Sequence, residues 1–173
     1  VAYDTACSAA LVGCHGGLCA LQLSECTHSL VEGVMLMVTS DISTSFALAA
    51  MTSARGRSHT FDERADGYAR GEGCATLLVR GQVHAEAPSC DMLRGSAVRQ
   101  DGRSASLTAP NGQAQQGLLR GALQDASLDA DAILCNEAHG TGTPLGDPIE
   151  AGSLAAAVRM HQRSDDALAC AGV

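Results

Sequence analysis

Between Ser8 and Leu23 the chain is apolar or small at nearly every position, with His15 and Gln22 the exceptions. A run with no polar stripe to turn toward water predicts a buried helix rather than an amphipathic surface one. Gly13, Gly16 and Gly17 lower its intrinsic helix propensity, so packing must compensate. Their expected use is close approach to another backbone. Further along, Val31 to Val38 is an apolar run of strand length, bounded by Thr39-Ser40-Asp41, and Ala75 to Val79 reads as a second buried strand. Leu93 to Val98 reopens strand character. Gln113 to Ala126 is helical, with Leu118, Leu119, Ala122, Leu123 and Ala126 at core spacing. Ile133-Leu134-Cys135 predicts a short buried strand. Asp147-Pro148-Ile149-Glu150 opens the last helix, with Asp147 at the N-cap, Pro148 at the first position and Glu150 at the third. Strands alternating with helices predict an α/β fold built on a layered sheet. The Pro- and Ser-containing stretch 81–91 is the linker candidate.

At 173 residues the chain is long enough to bury a sizeable core. A net charge of −8, two Tyr, two Phe and no Trp argue against a nucleic-acid binder. No apolar stretch reaches the ~18 residues that span a bilayer. Eight cysteines raise the question of a metal site or a disulfide scaffold. None forms a C-x-x-C pair, and Cys14 and Cys19 lie inside the apolar helix, where a free thiol acts as a small hydrophobe. The expectation is reduced, intracellular thiols with no metal.

Cys7 is the exception among them. It sits at the start of the apolar helix, in Asp4-Thr5-Ala6-Cys7-Ser8-Ala9-Ala10-Leu11. The positive end of a helix dipole and the free N–H groups of a first turn favour a thiolate, and the same N–H groups can stabilise an oxyanion on an attacked carbonyl. Glu137-Ala138-His139-Gly140-Thr141-Gly142-Thr143 then places a histidine in a glycine-rich turn after an apolar run. A cysteine nucleophile with a distant histidine suggests acyl transfer through a thioester.

These two strings, continuing through Pro144-Leu145-Gly146-Asp147-Pro148-Ile149-Glu150, resemble those of a β-ketoacyl synthase of the polyketide-synthase kind. Three further strings agree in order: Thr60-Phe61-Asp62-Glu63-Arg64-Ala65-Asp66-Gly67-Tyr68-Ala69-Arg70-Gly71-Glu72-Gly73, Arg94-Gly95-Ser96-Ala97-Val98-Arg99-Gln100-Asp101-Gly102-Arg103-Ser104, and Thr108-Ala109-Pro110-Asn111-Gly112. The resemblance covers nearly the whole chain. It implies a thiolase-like fold of five αβαβα layers, of which only the central part is expected here: residues 1–80 closing one half, 81–91 a linker, and 92–173 opening the other. The chain is therefore expected to be an internal piece. The family's Lys-Ser-Asn-x-Gly-His string, with its lysine and second catalytic histidine, is not in it.

The resemblance also implies roles. Cys7 would take an acyl group from the phosphopantetheine thiol of an acyl carrier protein. His139 would hydrogen-bond the malonyl thioester carbonyl as carbon dioxide departs. Thr141 and Thr143 would contact the phosphopantetheine arm, against the simpler reading of hydroxyls bonding local backbone. Glu150 would support the site as partner of the family's lysine, against a capping-box role. No cofactor is expected beyond the carrier-borne phosphopantetheine. The expected partners are the carrier protein and a second copy in a homodimer, with neither nucleic acid nor membrane, and the expected location is cytoplasmic. Arg64, Asp66, Arg70 and Glu72 are expected to form an ion-pair network on the floor between the halves. His15, His28, His59, His84 and His161 carry no motif and receive no role. The rivals are a fatty-acid β-ketoacyl synthase, a non-catalytic ketosynthase-like unit, and a cysteine hydrolase, the last disfavoured by the Thr141–Asp147 string.

Overall fold

The computed structural model describes residues 1–81, 91–106 and 109–158, and the backbone of 169–172. The expected linker (apart from Gly81 and Asp91), Thr108, His84 and His161 lie outside the described residues. A single 3-10 turn over Ala6–Ser8 leads into α1, Ala9–Gln22. Strand β1, His28–Met35, follows, then α2, Ser40–Leu48, a long irregular stretch, and β2, Gly73–Arg80. After the 91–106 segment come α3, Gly112–Ala126, β3, Cys135–Ala138, α4, Gly146–Val158, and β4, Ala169–Gly172.

β1 and β2 form an antiparallel pair, with His28 opposite Arg80 and Met35 opposite Gly73. β3 and β4 pair in parallel, with Cys135 opposite Ala169. α1 lies on β1, and its glycines make that contact possible. A Cβ on Gly13 would stand 3.3 Å from Val31 Cγ1, and one on Gly17 would run into the Ser29 side chain. Gly16 faces the Tyr3 ring in the same way. α3 and α4 pack against each other, and Leu119 and Leu123 close over Ala130, Leu154, Ala157 and Val158, the buried cluster of the described residues. Asn111 caps α3 by accepting from the N–H groups of Gln113 and Ala114.

Five sequence expectations change. Ala75 to Val79, predicted as a buried strand, lies in β2, whose residues are exposed apart from a half-buried Val79. β1 begins three residues before the predicted run, because His28, Ser29 and Leu30 find ladder partners in β2. Residues 93–98 form no strand among the described residues; the segment lies on α3 instead, where a Cβ on Gly95 would collide with Ala126. β3 starts at Cys135 rather than Ile133, and Leu134, predicted buried, is 87% exposed. Finally, α1 has the composition of a buried helix, yet none of its residues is buried and Leu11 is 74% exposed.

The accessible surface explains this last difference. It is 12419 Å² for a 17.6-kDa chain, against the ~7,900 Å² that a closed folded monomer of that mass exposes. Leu11, Leu30, Leu77 and Leu78 lie open on α1, β1 and β2. α1 is covered by β1 on one side, and its other apolar positions stay open among the described residues.

Candidate active site

Cys7 lies in the 3-10 turn that opens α1 and is exposed. Ala6 takes a φ of 54°, the left-handed region that L residues rarely adopt, so the chain turns sharply just before the thiol. Ser8 fastens the turn from the other side: its hydroxyl lies 3.0 Å from the carbonyl oxygen of Thr5 and 2.9 Å from the Thr5 hydroxyl. Cys14, Cys19, Cys26, Cys74 and Cys135 are also free thiols. At Cys74 desolvation by neighbouring atoms, and secondarily the Glu32 carboxylate 3.6 Å away, push the thiol's pKa above its ordinary value. That shift is the opposite of what a nucleophile needs.

His139 follows β3 and is exposed, while Ala138 and Gly140 on either side are buried. Its imidazole makes no hydrogen bond among the described residues. Its backbone, by contrast, is held from several directions. The Glu150 carboxylate accepts from the His139 N–H at 2.6 Å with one oxygen and from the Gly140 N–H at 2.9 Å with the other. The Thr60 hydroxyl donates to the Gly140 carbonyl at 2.5 Å. Gly67 N–H donates to the Gly142 carbonyl at 2.9 Å. Gly142 itself has a φ of 70°, and a Cβ there would stand 2.8 Å from the His59 nitrogen. Only glycine combines that torsion with that contact.

Glu150 is therefore no capping-box residue. It reaches back eleven positions and grips the turn that carries His139. Asp147 also departs from expectation. It lies inside the first turn of α4, is 4% exposed, and accepts from three backbone donors: Phe61 N–H at 2.7 Å, Gly142 N–H at 3.0 Å and Thr143 N–H at 3.3 Å. The side-chain bond at the head of α4 comes from Thr143, whose hydroxyl accepts from Gly146 N–H at 3.1 Å. Thr141 Oγ1 lies 3.3 Å from Thr143 Oγ1. Both threonines thus bond locally, and both stay half-buried on the turn.

The expected ion-pair network does not form. Arg64 pairs with its neighbour Asp62 at 2.8 Å and holds that carboxyl well below the usual carboxylate range. Asp66 accepts from the Ser53 hydroxyl at 2.6 Å and lies 3.5 Å from Arg55. Arg70 stacks on Phe46 at 4.6 Å, and Glu72 accepts from Met37 N–H at 2.6 Å. Arg64 and Asp66 find partners within residues 53–64, Arg70 and Glu72 reach back to α2 and to the residues after β1, and Arg70 Nε is buried without a hydrogen-bond partner, so these side chains form no shared network. The contacts that cross to the His139 turn are made by Thr60, Phe61 and Gly67 of the same string. Among the described residues, no hydrogen bond joins Cys7 to His139, Thr141 or Thr143, and no cluster of His, Cys, Asp or Glu is arranged to hold a metal. No described helix is long and apolar enough to cross a membrane.

Comparison with known proteins decides the family. The family model of the beta-ketoacyl synthase N-terminal domain matches residues 1–85, and that of the C-terminal domain matches residues 91–171. The chain belongs to the β-ketoacyl synthase family. Among ketosynthase structures, that from module 6 of the bacillaene synthase of Bacillus subtilis 168 superposes with a TM-score of 0.91 at 34% identity, over 98% of this chain and 31% of its own. The oxazolomycin ketosynthase domain OzmH KS7 of Streptomyces albus JA3453 gives a TM-score of 0.91 at 32% identity, over 100% of this chain and 31% of its own. The fold is therefore the thiolase-like α/β fold of ketosynthases. Among curated relatives, the pikromycin polyketide synthase component PikAIII of Streptomyces venezuelae is 44% identical over 168 residues, which is 95% of this chain and 11% of that protein. A highly reducing polyketide synthase of Aspergillus terreus is 42% identical over 156 residues, 88% of this chain and 6% of that protein. The ketosynthase chain thus spans only a small part of the length of these synthases.

Proposed function

We propose that the chain is the central part of a ketosynthase that extends an acyl thioester by decarboxylating Claisen condensation in polyketide synthesis. The carrying observation is the His139 turn, with its backbone fixed by Glu150 and by residues of the 59–67 loop while its imidazole is left free. A fixed backbone with a free side chain suits a residue that must meet a substrate in a set position. In this reading the Cys7 sulfur attacks the carbonyl of a carrier-bound acyl thioester. A new C–S bond forms, the pantetheine C–S bond breaks, and the proton from Cys7 passes to the departing thiol. A malonyl-type thioester then loses carbon dioxide, and the electron pair of the broken C–C bond becomes an enolate whose oxygen His139 hydrogen-bonds. The enolate carbon attacks the acyl-Cys7 carbonyl, a C–C bond forms, and the C–S bond to Cys7 breaks to return the thiolate.

Thr141 and Thr143 border the path of the phosphopantetheine arm, each hydroxyl using one of its bonds locally. Glu150 supports the site by holding His139, and the family's lysine would be its further partner. Residues 1–80 and 92–173 belong to the two thiolase-like halves, with 81–91 between them. An acyl carrier protein delivers both substrates, the intact domain is a homodimer, and the reaction is placed in the cytoplasm. A polyketide rather than a fatty-acid product is favoured by the relatives, which are polyketide synthases in Streptomyces venezuelae and Aspergillus terreus alike. The test is peptide mapping of the intact ketosynthase domain after brief exposure to an acyl-carrier thioester. Acylation is expected at Cys7 ahead of every other cysteine. Label on Cys14 or Cys19 with Cys7 untouched overturns the reading.

A further inference from the structure

His15 has no motif and no place in the chemistry above, yet it makes a long-range contact out of α1. Its Nδ1 lies 2.7 Å from the hydroxyl of Ser96, a residue 81 positions away in the segment that follows the linker region. Its Nε2 faces Cys19 Sγ at 3.6 Å, one turn along the same helix. The imidazole is thereby held at both nitrogens, half-buried, and bridges α1 to the other part of the chain.

Ser96 is itself fixed. Its N–H donates to the Asp125 carboxylate at 2.8 Å, and the adjoining Gly95 lies so close to Ala126 that no Cβ would fit. The 95–96 backbone is therefore seated on the end of α3. α3 packs through Leu119 and Leu123 onto Leu154, Ala157 and Val158 of α4. α4 carries Glu150, which grips the backbone of His139 and Gly140. At the other end, α1 begins at Ala9, directly after the 3-10 turn that holds Cys7 and six residues, or about 9 Å of helix, before His15. A continuous chain of contacts thus runs from the nucleophile's helix through His15, Ser96, α3 and α4 to the histidine turn. The other ties to that turn, from Thr60, Phe61 and Gly67, come from the 59–67 loop and do not involve α1, which otherwise rests on β1.

We infer that His15 is a positioning residue: through Ser96 it fixes the helix that carries Cys7 against the body that carries His139, and so couples decarboxylation to carbon–carbon bond formation. This rests on the assignment of Cys7 and His139 proposed above. Each half-reaction needs one of the two residues near its own substrate, whereas condensation needs the enolate and the acyl-Cys7 carbonyl at bonding distance. A small displacement of α1 therefore spares the halves and damages the whole; misplacement of about 1 Å can cost ~10²-fold.

The experiment uses the intact ketosynthase domain and measures Cys7 acylation, malonyl decarboxylation and condensation on the same samples. The ratio of condensation to decarboxylation is the readout, because it is unaffected by any loss of folded protein. For His15→Ala and Ser96→Ala the ratio is expected to fall by about ten- to a hundredfold. His15→Asn, whose amide can occupy the place of Nδ1, should restore most of it; His15→Gln, whose amide sits where Nε2 was, should not. Ser96→Ala removes only a hydroxyl and carries the test if His15→Ala fails to fold. An unchanged ratio in Ser96→Ala, or equal rescue by Asn and Gln, overturns the inference. If the unaltered domain is not acylated at Cys7, the functional reading fails first, and the two failures are told apart.

Discussion

Replacing Asp147 should loosen the histidine turn more than any exposed charge could. Its carboxylate accepts from Phe61, Gly142 and Thr143 N–H groups in a place only 4% exposed. Asp147→Ala strands all three donors away from water, at ~1–3 kcal/mol each, and water entering the space left by the side chain recovers part of that. One of the three bonds is long, so the lower part of the range applies, and the expected loss is about 3–5 kcal/mol. That is a large share of the ~5–15 kcal/mol by which a domain is stable. Asp147→Asn keeps one accepting oxygen and turns an amide N–H toward the remaining donor, so it should lose roughly half as much. The assay is urea denaturation of the intact ketosynthase domain, followed by decarboxylation at a temperature where each variant is still folded. Decarboxylation should fall with Asp147→Ala while Cys7 acylation holds, because the bonds lost are those of the His139 turn. If Asp147→Ala unfolds within ~0.5 kcal/mol of the unaltered domain, as an ordinary surface substitution would, the argument from stranded donors is refuted.

Gly67 has a φ of 126° and a Cβ there would stand 2.6 Å from the Thr52 carbonyl carbon, so Gly67→Ala should cost more than the ~1–2 kcal/mol of torsional strain alone, read as a lower denaturation midpoint. Asp62→Asn, by contrast, removes an exposed local pair with Arg64 and should leave condensation unchanged in the same assays. Residues 1–173 expressed alone should show no cooperative melt in calorimetry, because the surface exceeds that of a closed monomer and leucines of α1, β1 and β2 are open; a sharp transition from a soluble monomer would contradict this.

Helices α1, α3 and α4 were legible in the sequence because they carry local signals, whereas α2, behind Thr39-Ser40-Asp41, was not predicted. Predicted at 113–126, α3 runs Gly112–Ala126, with leucines at helical spacing and Asn111 ready to cap it. Glycines in an apolar helix predicted close approach to another backbone; Gly13 and Gly17 do sit tight on β1, but against the side chains of Val31 and Ser29. What the sequence could not show depends on partners distant along the chain. Residues 93–98 have strand composition, but a strand exists only with a neighbour, and this segment rests on α3. Asp147 read as a cap because a cap is the local use of aspartate before proline; its bond to Phe61 spans 86 positions. The capping-box alternative for Glu150 rested on the same local pattern, while its bonds to His139 and Gly140 N–H reach eleven and ten positions back. His15 carried no motif; a polar ring in an otherwise apolar helix was the only hint that it had a partner.

The central claim is that Cys7 and His139 divide the reaction between them. It is tested most directly by assaying the two half-reactions separately in the intact ketosynthase domain carrying His139→Ala. Acylation of Cys7 should persist, while malonyl decarboxylation falls by the ~10²–10⁴-fold that a positioned acid–base or polar group contributes. Loss of acylation with decarboxylation unchanged would contradict the assignment.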